Sequence, residues 1–592
     1  MKTRLLTLVV LAALFLVSYG AFGVRSTMLT DDYWFSYPPN DFVAAGEDVA
    51  RLGALEMARR VGSASGVSRF AKEFLDYWAF PLLRDHFWVV HLWIVVNHAL
   101  NVGLLYAFLR RAVRARGPAF LGAALFAFWP LHCEVMFWGS TFFYHVGMSF
   151  ALLAGIAWLR ARPEAPGWWR RAWPVPLFIL AASQWNEQAM VTTLALPAWA
   201  LFAPAAGLRA RALRFAGHSL FLAAPIGLWA IGYVTLTDVQ RMTGGHHRNL
   251  PTRFQRTPLA DLPRKTLLTL REQSDFLPLA RLEREEIRGS FRRFPELAGD
   301  YPAAWALALL LPAAAIAAAL LEKHGPDPQV EGRRLAAMAL FGGLTFLYAQ
   351  APIAATREEW FAMRLGYAPG LGQNLALAAG LWWMWSVWTR HTGLAVAGRL
   401  ALAGLLCLYA LCNATEGWQY LKQHRIDLGH AEQIRRQLAD DPGEPRWLLL
   451  AELEFFTQPL TIYRLDHIVN GWAYPWAGQP FLRQQGLRVD YAATRARKNG
   501  APVIHADMPL DRMLRDPDHL YVFAFPPRRH RIDDARPRTY ALSPVKALEL
   551  VDRRGRTRLV PLPRMQETRD GSGEAPLASV RVAVRNLDAL GR

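Results

Sequence analysis

The chain is dominated by one repeated pattern, an apolar run of roughly 17–25 residues followed by a short arginine-rich link. A run of that length crosses about 30 Å of hydrocarbon as a helix, and a chain that repeats it folds as a bundle within a bilayer. Composition agrees: 53% of the 592 residues are hydrophobic, 23 are Trp, and mean hydropathy is +0.09. The formal charge of +19 is the kind that nucleic-acid binders carry, but here it falls in the links. Membrane orientation explains it, and no nucleic-acid partner is expected. Cys133, Cys407 and Cys412 lie in or beside apolar runs, without the spacing of a disulfide framework or a metal site.

The flanking charges set the topology. Lys2 and Arg4 precede a first run over about residues 5–24, so that span points outwards; a cleaved signal peptide would also leave the chain outside by Asp31. Further runs cover about 86–109, 117–138, 141–160, 173–204 as a broken pair, 218–237, 301–321, 334–354, 366–388 and 399–416. The segment "HCEVMFWGST" forms an outer turn, and "RRAVRAR", "RARPEAPGWWRRA" and "RARALR" stay inside. The predicted architecture is an α-helical polytopic membrane protein of about eleven crossings. Residues 1–416 form the membrane domain, with outer loops 25–85 and 238–300. Residues 417–592 form a small extracytoplasmic α+β domain with a flexible tail. Within it "HLYVFAFP" is a strand, "ALELVDRRGRTRLVPL" is a hairpin, and Trp418 to Asp441 have helical spacing.

Ionisable groups in or at the mouth of spans are costly and are candidates for function. By this topology they collect at the outer face. Asp31 and Asp32 follow the first span, His132 and Glu134 close the third, and Glu187 lies at the break in the 173–204 pair. Arg357, Glu358, Glu359 and Arg364 lie between the ninth and tenth runs. One outward cavity that collects them is the economical arrangement.

Several segments, in order, resemble the GT-C superfamily of membrane glycosyltransferases, including its protein O-mannosyltransferase-like and lipid A aminoarabinose transferase-like members. "TDDYWF" matches the acidic pair of that family's first outer loop, and "LWIVVNHALNVGLLYAFLRR" is similar to its second span. "FWPLHCEVMFWGST" resembles its His-Pro-x-His-x-Glu segment, with Trp129 in place of the first His and Pro130, His132 and Glu134 kept. "SQWNEQAMVTTLALP" resembles its Lys-Glu segment with Asn186 at the lysine, and "MRLGYAP" its Arg-Tyr-x-Tyr-x-Pro segment with Leu365 at the first Tyr. The resemblance implies sugar transfer from a polyprenyl-phosphate donor to a glycan, lipid or protein acceptor. It places the protein in a bacterial inner membrane, with the active site and C-terminal domain facing the periplasm. No obligatory cofactor is expected, since some members of that family work without a metal, and a divalent cation is allowed.

Such a transfer needs a base for the acceptor hydroxyl and a cation for the departing phosphate. Asp31 is the candidate base, with Asp32 in support; adjacent residues on an extended loop point apart. Arg364 is the first choice for the phosphate, through paired guanidinium donors. Arg357, Arg253, Arg256, Arg264 and Lys265 follow. His132, Glu134, Glu187 and Tyr367 are candidates for holding the sugar. Two other activities share these features. A transporter would gather polar groups near the midplane of repeated halves. A surface-polysaccharide polymerase or ligase would rely on the basic 238–300 loop with His246 and His247.

Overall fold

The computed structural model describes residues 2–25, 28, 31–36, 42–44, 47–65, 70–202, 207–242, 260–274, 277, 280–304, 306, 310, 312–313, 332–354, 363–388 and 392–437, and eight strand segments between 446 and 583. The chain divides into two compact units: residues 1–26 with 41–419, and residues 27–40 with 420–592.

The first unit is helical. Among the described residues, five helices are long and apolar enough to cross a membrane: Trp88–Val113, Gly139–Arg160, Leu208–Gly232, Gly332–Ala354 and Val396–Lys422. Val9–Gly23, Arg116–Phe128 and Pro174–Ser183 are apolar but shorter. This is a multi-pass membrane protein. Most of the predicted run at 301–321 lies outside the described residues.

Three segments differ from the sequence expectation, each for a local reason. The third run stops early, at Phe128. Pro130 disfavours helical geometry at the preceding residue, and Trp129 is accordingly extended (φ −57°, ψ 123°). The chain then continues as the short helical pieces Pro130–His132, Cys133–Phe137 and Gly139–Thr141, whose described side chains are buried. The predicted outer turn is thus a run of short helical pieces packed within the protein. The link "RARALR" is helical, because Arg, Ala and Leu are strong helix formers, and it opens the Leu208–Met242 helix. The polar 238–300 segment contains the helices Leu262–Ser274 and Arg281–Asp300. The latter buries Leu282, Phe294, Leu297 and Ala298 together with Glu283, Glu286 and Ser290.

The 25–85 region also folds into helices, Val49–Ser65 and Phe70–Leu83. The first bends at Gly53 (φ +75°), a conformation open to glycine. Arg60 ties it to the preceding chain through Glu47 Oε2 at 2.8 Å and the Phe42 carbonyl at 3.0 Å. Hydrogen bonds from Arg59 and then Arg60 hold the Glu56 carboxyl down to about 2.

The Gly332–Ala349 helix packs along Tyr367–Trp388. Gly342 and Gly372 face one another there. A methyl group at Gly342 would lie 2.5 Å from the Gly372 carbonyl oxygen and 2.8 Å from Ala376 N. Small residues let helices approach within a membrane, where packing rather than hydrophobicity drives association.

In the second unit the described strands are β1 (Arg446–Ala451), β2 (Val489–Lys498), β3 (Ala501–His505), β4 (Leu520–Ala524), β5 (Ala541–Pro544), β6 (Ala547–Val551), β7 (Thr557–Pro561) and β8 (Val580–Ala583). They form one mixed sheet in the order β5-β4-β1-β2-β3-β8-β6-β7. β4 falls in the predicted strand, and β6 and β7 pair antiparallel as the predicted hairpin. The helix expected after Trp418 is not separate: it continues the final apolar run as the single helix Thr392–Gln437.

Replacing Gly342 with Ala forces this helix pair apart and is expected to lower stability by about 1–3 kcal/mol. Gly343, with nothing within 4 Å of its would-be Cβ, is the control, and Ala there is expected to be neutral or better. Thermal unfolding of the two variants in detergent separates the effects.

Candidate functional site

The end of the Arg116–Phe128 helix creates a problem that the rest of the site solves. Its last carbonyls have no helical partner, and buried within the helical bundle they must find side-chain donors. Tyr19 Oη donates to the Ala127 carbonyl at 2.9 Å, and His98 Nε2 donates to the same oxygen at 3.1 Å. Asn413 Nδ2 donates to the Phe128 carbonyl at 2.9 Å and to Tyr19 Oη at 3.0 Å. His145 Nε2 donates to the Val135 carbonyl at 3.1 Å.

These bonds fix the histidine tautomers. With Nε2 carrying the proton, Nδ1 of both His98 and His145 is a lone-pair acceptor. Each lies 2.9 Å from the hydroxyl of Tyr367. Asn101 Nδ2 donates to that hydroxyl at 3.3 Å and to the His145 carbonyl at 2.9 Å, while Ser149 Oγ donates to Asn101 Oδ1 at 2.7 Å. All five side chains are buried. Tyr367 is therefore a hub, and its single hydroxyl proton serves one imidazole at a time.

His132 sits against this hub, caged by the rings of Tyr367 (4.8 Å), Phe126 (4.9 Å), Trp129 (5.1 Å) and His98 (5.6 Å). Both of its ring nitrogens and the Trp129 indole nitrogen are buried without a hydrogen-bond partner among the described residues. Such groups cost about 1–3 kcal/mol each. Gly370 makes room for Trp129, since a methyl group there would overlap the indole ring.

Three of the predicted segments meet here. The Pro130–His132 turn and the Cys133–Phe137 helix, which carries Glu134, both pack on the Met363–Gly366 turn, which carries Arg364. Glu187 opens the Glu187–Thr192 helix and is half-buried. Its neighbour Gln188 donates from Nε2 to the Leu365 carbonyl and the Ala349 carbonyl, both at 3.1 Å. The Met363–Gly366 turn is thus held from one side by Tyr367 in its cluster and from the other by Gln188. Asn186, at the position of the lysine in the resembling segment, is a helix cap whose side chain accepts from Ala189 N at 3.0 Å.

The side chains of Glu134 and Arg364, and the whole of Arg357, Arg253 and Arg256, lie outside the described residues. Asp31 and Asp32 lie on the Asp31–Ser36 helix, which belongs to the second unit. Asp32 is buried, and the side chain of Asp31 is outside the described set. The pair was expected on an extended loop with opposed side chains. On a helix, successive side chains diverge by about 100°, so the alternation of an extended strand does not apply. Tyr367 differs in role from its expectation as a sugar ligand: its hydroxyl is committed to the cluster, so it positions the turn before it.

Sequence reasoning missed two features. Lys72, 12% exposed, forms an ion pair with the buried Asp76 one turn along, and its ammonium lies 4.8 Å from the centre of the Phe143 ring. The i,i+4 spacing in "KEFLD" was the available signal. The Arg281–Asp300 helix closes over the Pro130–His132 turn. It is tied to the last span by Tyr409 donating to Glu283, Trp418 Nε1 to Asp300 Oδ2 at 2.9 Å, and Arg293 Nη1 to Gln419 Oε1 at 2.8 Å. Among the described residues, no three His, Cys, Asp or Glu side chains are placed to hold a metal ion.

Tyr367→Phe leaves the imidazole nitrogen that the hydroxyl serves and one amide hydrogen short of a partner. It is expected to lower the unfolding free energy by about 1–3 kcal/mol, read as a drop in melting temperature with the helix content unchanged.

No protein-family model matches the chain, and no curated protein matches it. Among solved structures it is similar to ArnT from Cupriavidus metallidurans bound to undecaprenyl phosphate, at 14% identity over 78% of this chain and 85% of that one, with a TM-score of 0.24. The apo form of the same protein aligns at 13% identity over 79% of this chain and 86% of that one, with a TM-score of 0.28.

Proposed function

We propose that this protein is a membrane glycosyltransferase that moves a sugar from a polyprenyl-phosphate donor to an acceptor at the outer, periplasmic face of a bacterial inner membrane. One observation carries the reading. Segments bearing His132 and Glu134, Glu187 and Arg364, far apart in sequence, are packed and hydrogen-bonded into one locus of an apolar helical bundle. Rigid support of that kind suits a site whose charged groups must meet a phosphate and a sugar in fixed geometry.

In this reading the acceptor hydroxyl attacks the anomeric carbon and the carbon–oxygen bond to the lipid phosphate breaks. The hydroxyl proton passes to Asp31, and polyprenyl phosphate leaves with its charge met by Arg364 and Arg357. Asp32 supports Asp31, and Glu134 and Glu187 hold the sugar, while the His132 ring, expected to do so too, is enclosed by aromatic rings and stays behind the segment that carries Glu134. General-base assistance contributes about 10²–10⁴-fold. The reading needs no metal. It keeps about eleven crossings, and it keeps the C-terminal strand-rich region, with its eight-stranded sheet, as an α+β domain on the periplasmic side.

Asp31→Asn is expected to abolish envelope glycan modification in a deletion strain while expression and membrane insertion stay normal. Full complementation by that variant, judged by mass spectrometry of lipid A and surface glycans, would sink the assignment. Arg364→Ala is expected to raise the donor KM at least about ten-fold, with the acceptor KM little changed, since a charged phosphate contact contributes about 1.5–3 kcal/mol. An unchanged donor KM removes Arg364 from the phosphate site.

A further inference from the structure

The Leu262–Ser274 helix, whose Arg264 and Lys265 are secondary candidates for the donor phosphate, has an outward face to which the proposed transfer assigns no role. It packs against Ala351–Ala354, the last turn of the Gly332–Ala354 helix. That helix is among the five able to cross the membrane, so Leu262–Ser274 lies at the level where a span ends. Its inward side carries the buried Thr269, whose hydroxyl bonds back to the Lys265 carbonyl at 2.8 Å.

The outward side is different. Leu267 is 69% exposed and Leu268 43% exposed. Arg264 and Arg271, both exposed, stand one turn before and one turn after them, on the same stripe of the helix. Against water two neighbouring leucines would gain nothing from this exposure. At the boundary of a bilayer they enter the acyl region, while the arginines reach back to the phosphates. The charge fits too: Arg264, Lys265 and Arg271 stand against Glu272 alone within the helix.

We propose that Leu262–Ser274 is an interfacial helix that binds the phosphates of anionic phospholipids through Arg264 and Arg271, with Leu267 and Leu268 seated among the acyl chains. The proposal stands whatever reaction the protein catalyses.

The test uses the full chain in nanodiscs of mixed phosphatidylglycerol and phosphatidylcholine, with a bimane label on Leu267→Cys. A label on Glu164→Cys, exposed in a basic link, is the aqueous control. Lipids brominated on the acyl chain should quench the label at 267, while aqueous iodide should quench only the control. Bromine carried on phosphatidylglycerol should quench more than bromine carried on phosphatidylcholine, with local enrichment of about five-fold per arginine. Arg264→Gln with Arg271→Gln should remove that preference and leave the acyl-chain quenching in place. Iodide quenching at 267 equal to the control overturns the interfacial placement. Equal quenching by the two brominated lipids with both arginines present overturns the phosphate assignment.

Discussion

The structure turns on the fact that a helix ending inside a packed bundle must have its last carbonyls satisfied by protein. Proline at 130 ends the Arg116–Phe128 helix, and the oxygens of Ala127 and Phe128 are claimed by Tyr19, His98 and Asn413. Those donors come from the first span, the Trp88–Val113 helix and the last span. Satisfying one broken helix therefore recruits three others. The histidine that donates at Nε2 is left with an acceptor at Nδ1, and this sets the demand that the Tyr367 hydroxyl meets. Polar chemistry spreads from a single proline into a network, which in turn places the 363–366 turn.

Much of this was legible in the sequence, and the unread parts have identifiable causes. Run lengths and basic links gave most of the helices, because hydrocarbon thickness leaves little choice. The Arg281–Asp300 helix was hidden by its own interior. Positions 282, 286, 290, 294 and 297 follow helical spacing, but Glu286 and Ser290 occupy two of them, so no apolar stripe shows. His98 and Asn101 are polar groups within an apolar run. What the sequence could not say was that His145, 47 positions after His98, turns to the same hydroxyl. A polar group in a span announces a partner without naming it, and only the packing supplies the name.

The site segments are held by their neighbours more than by each other. Gln188, beside Glu187, reaches the Leu365 carbonyl, beside Arg364. Tyr367, three residues past Arg364, is bonded by three side chains. Gly370 admits Trp129, and Gly342 meets Gly372 so that the helix following the turn lies close against its partner. His132 stands apart from this pattern, because its ring is enclosed while both its nitrogens lack partners among the described residues.

The Tyr19–Asn413 bond joins residues 394 positions apart, and Asn413 also completes the Phe128 carbonyl 285 positions away. A chain threaded into the bilayer from its N-terminus therefore holds that oxygen without its native donor until the final span arrives. During biogenesis the early helices are a provisional assembly that water or the insertion machinery must tolerate. Closure of the polar seam therefore draws on residues from both the early and the late helices of this unit.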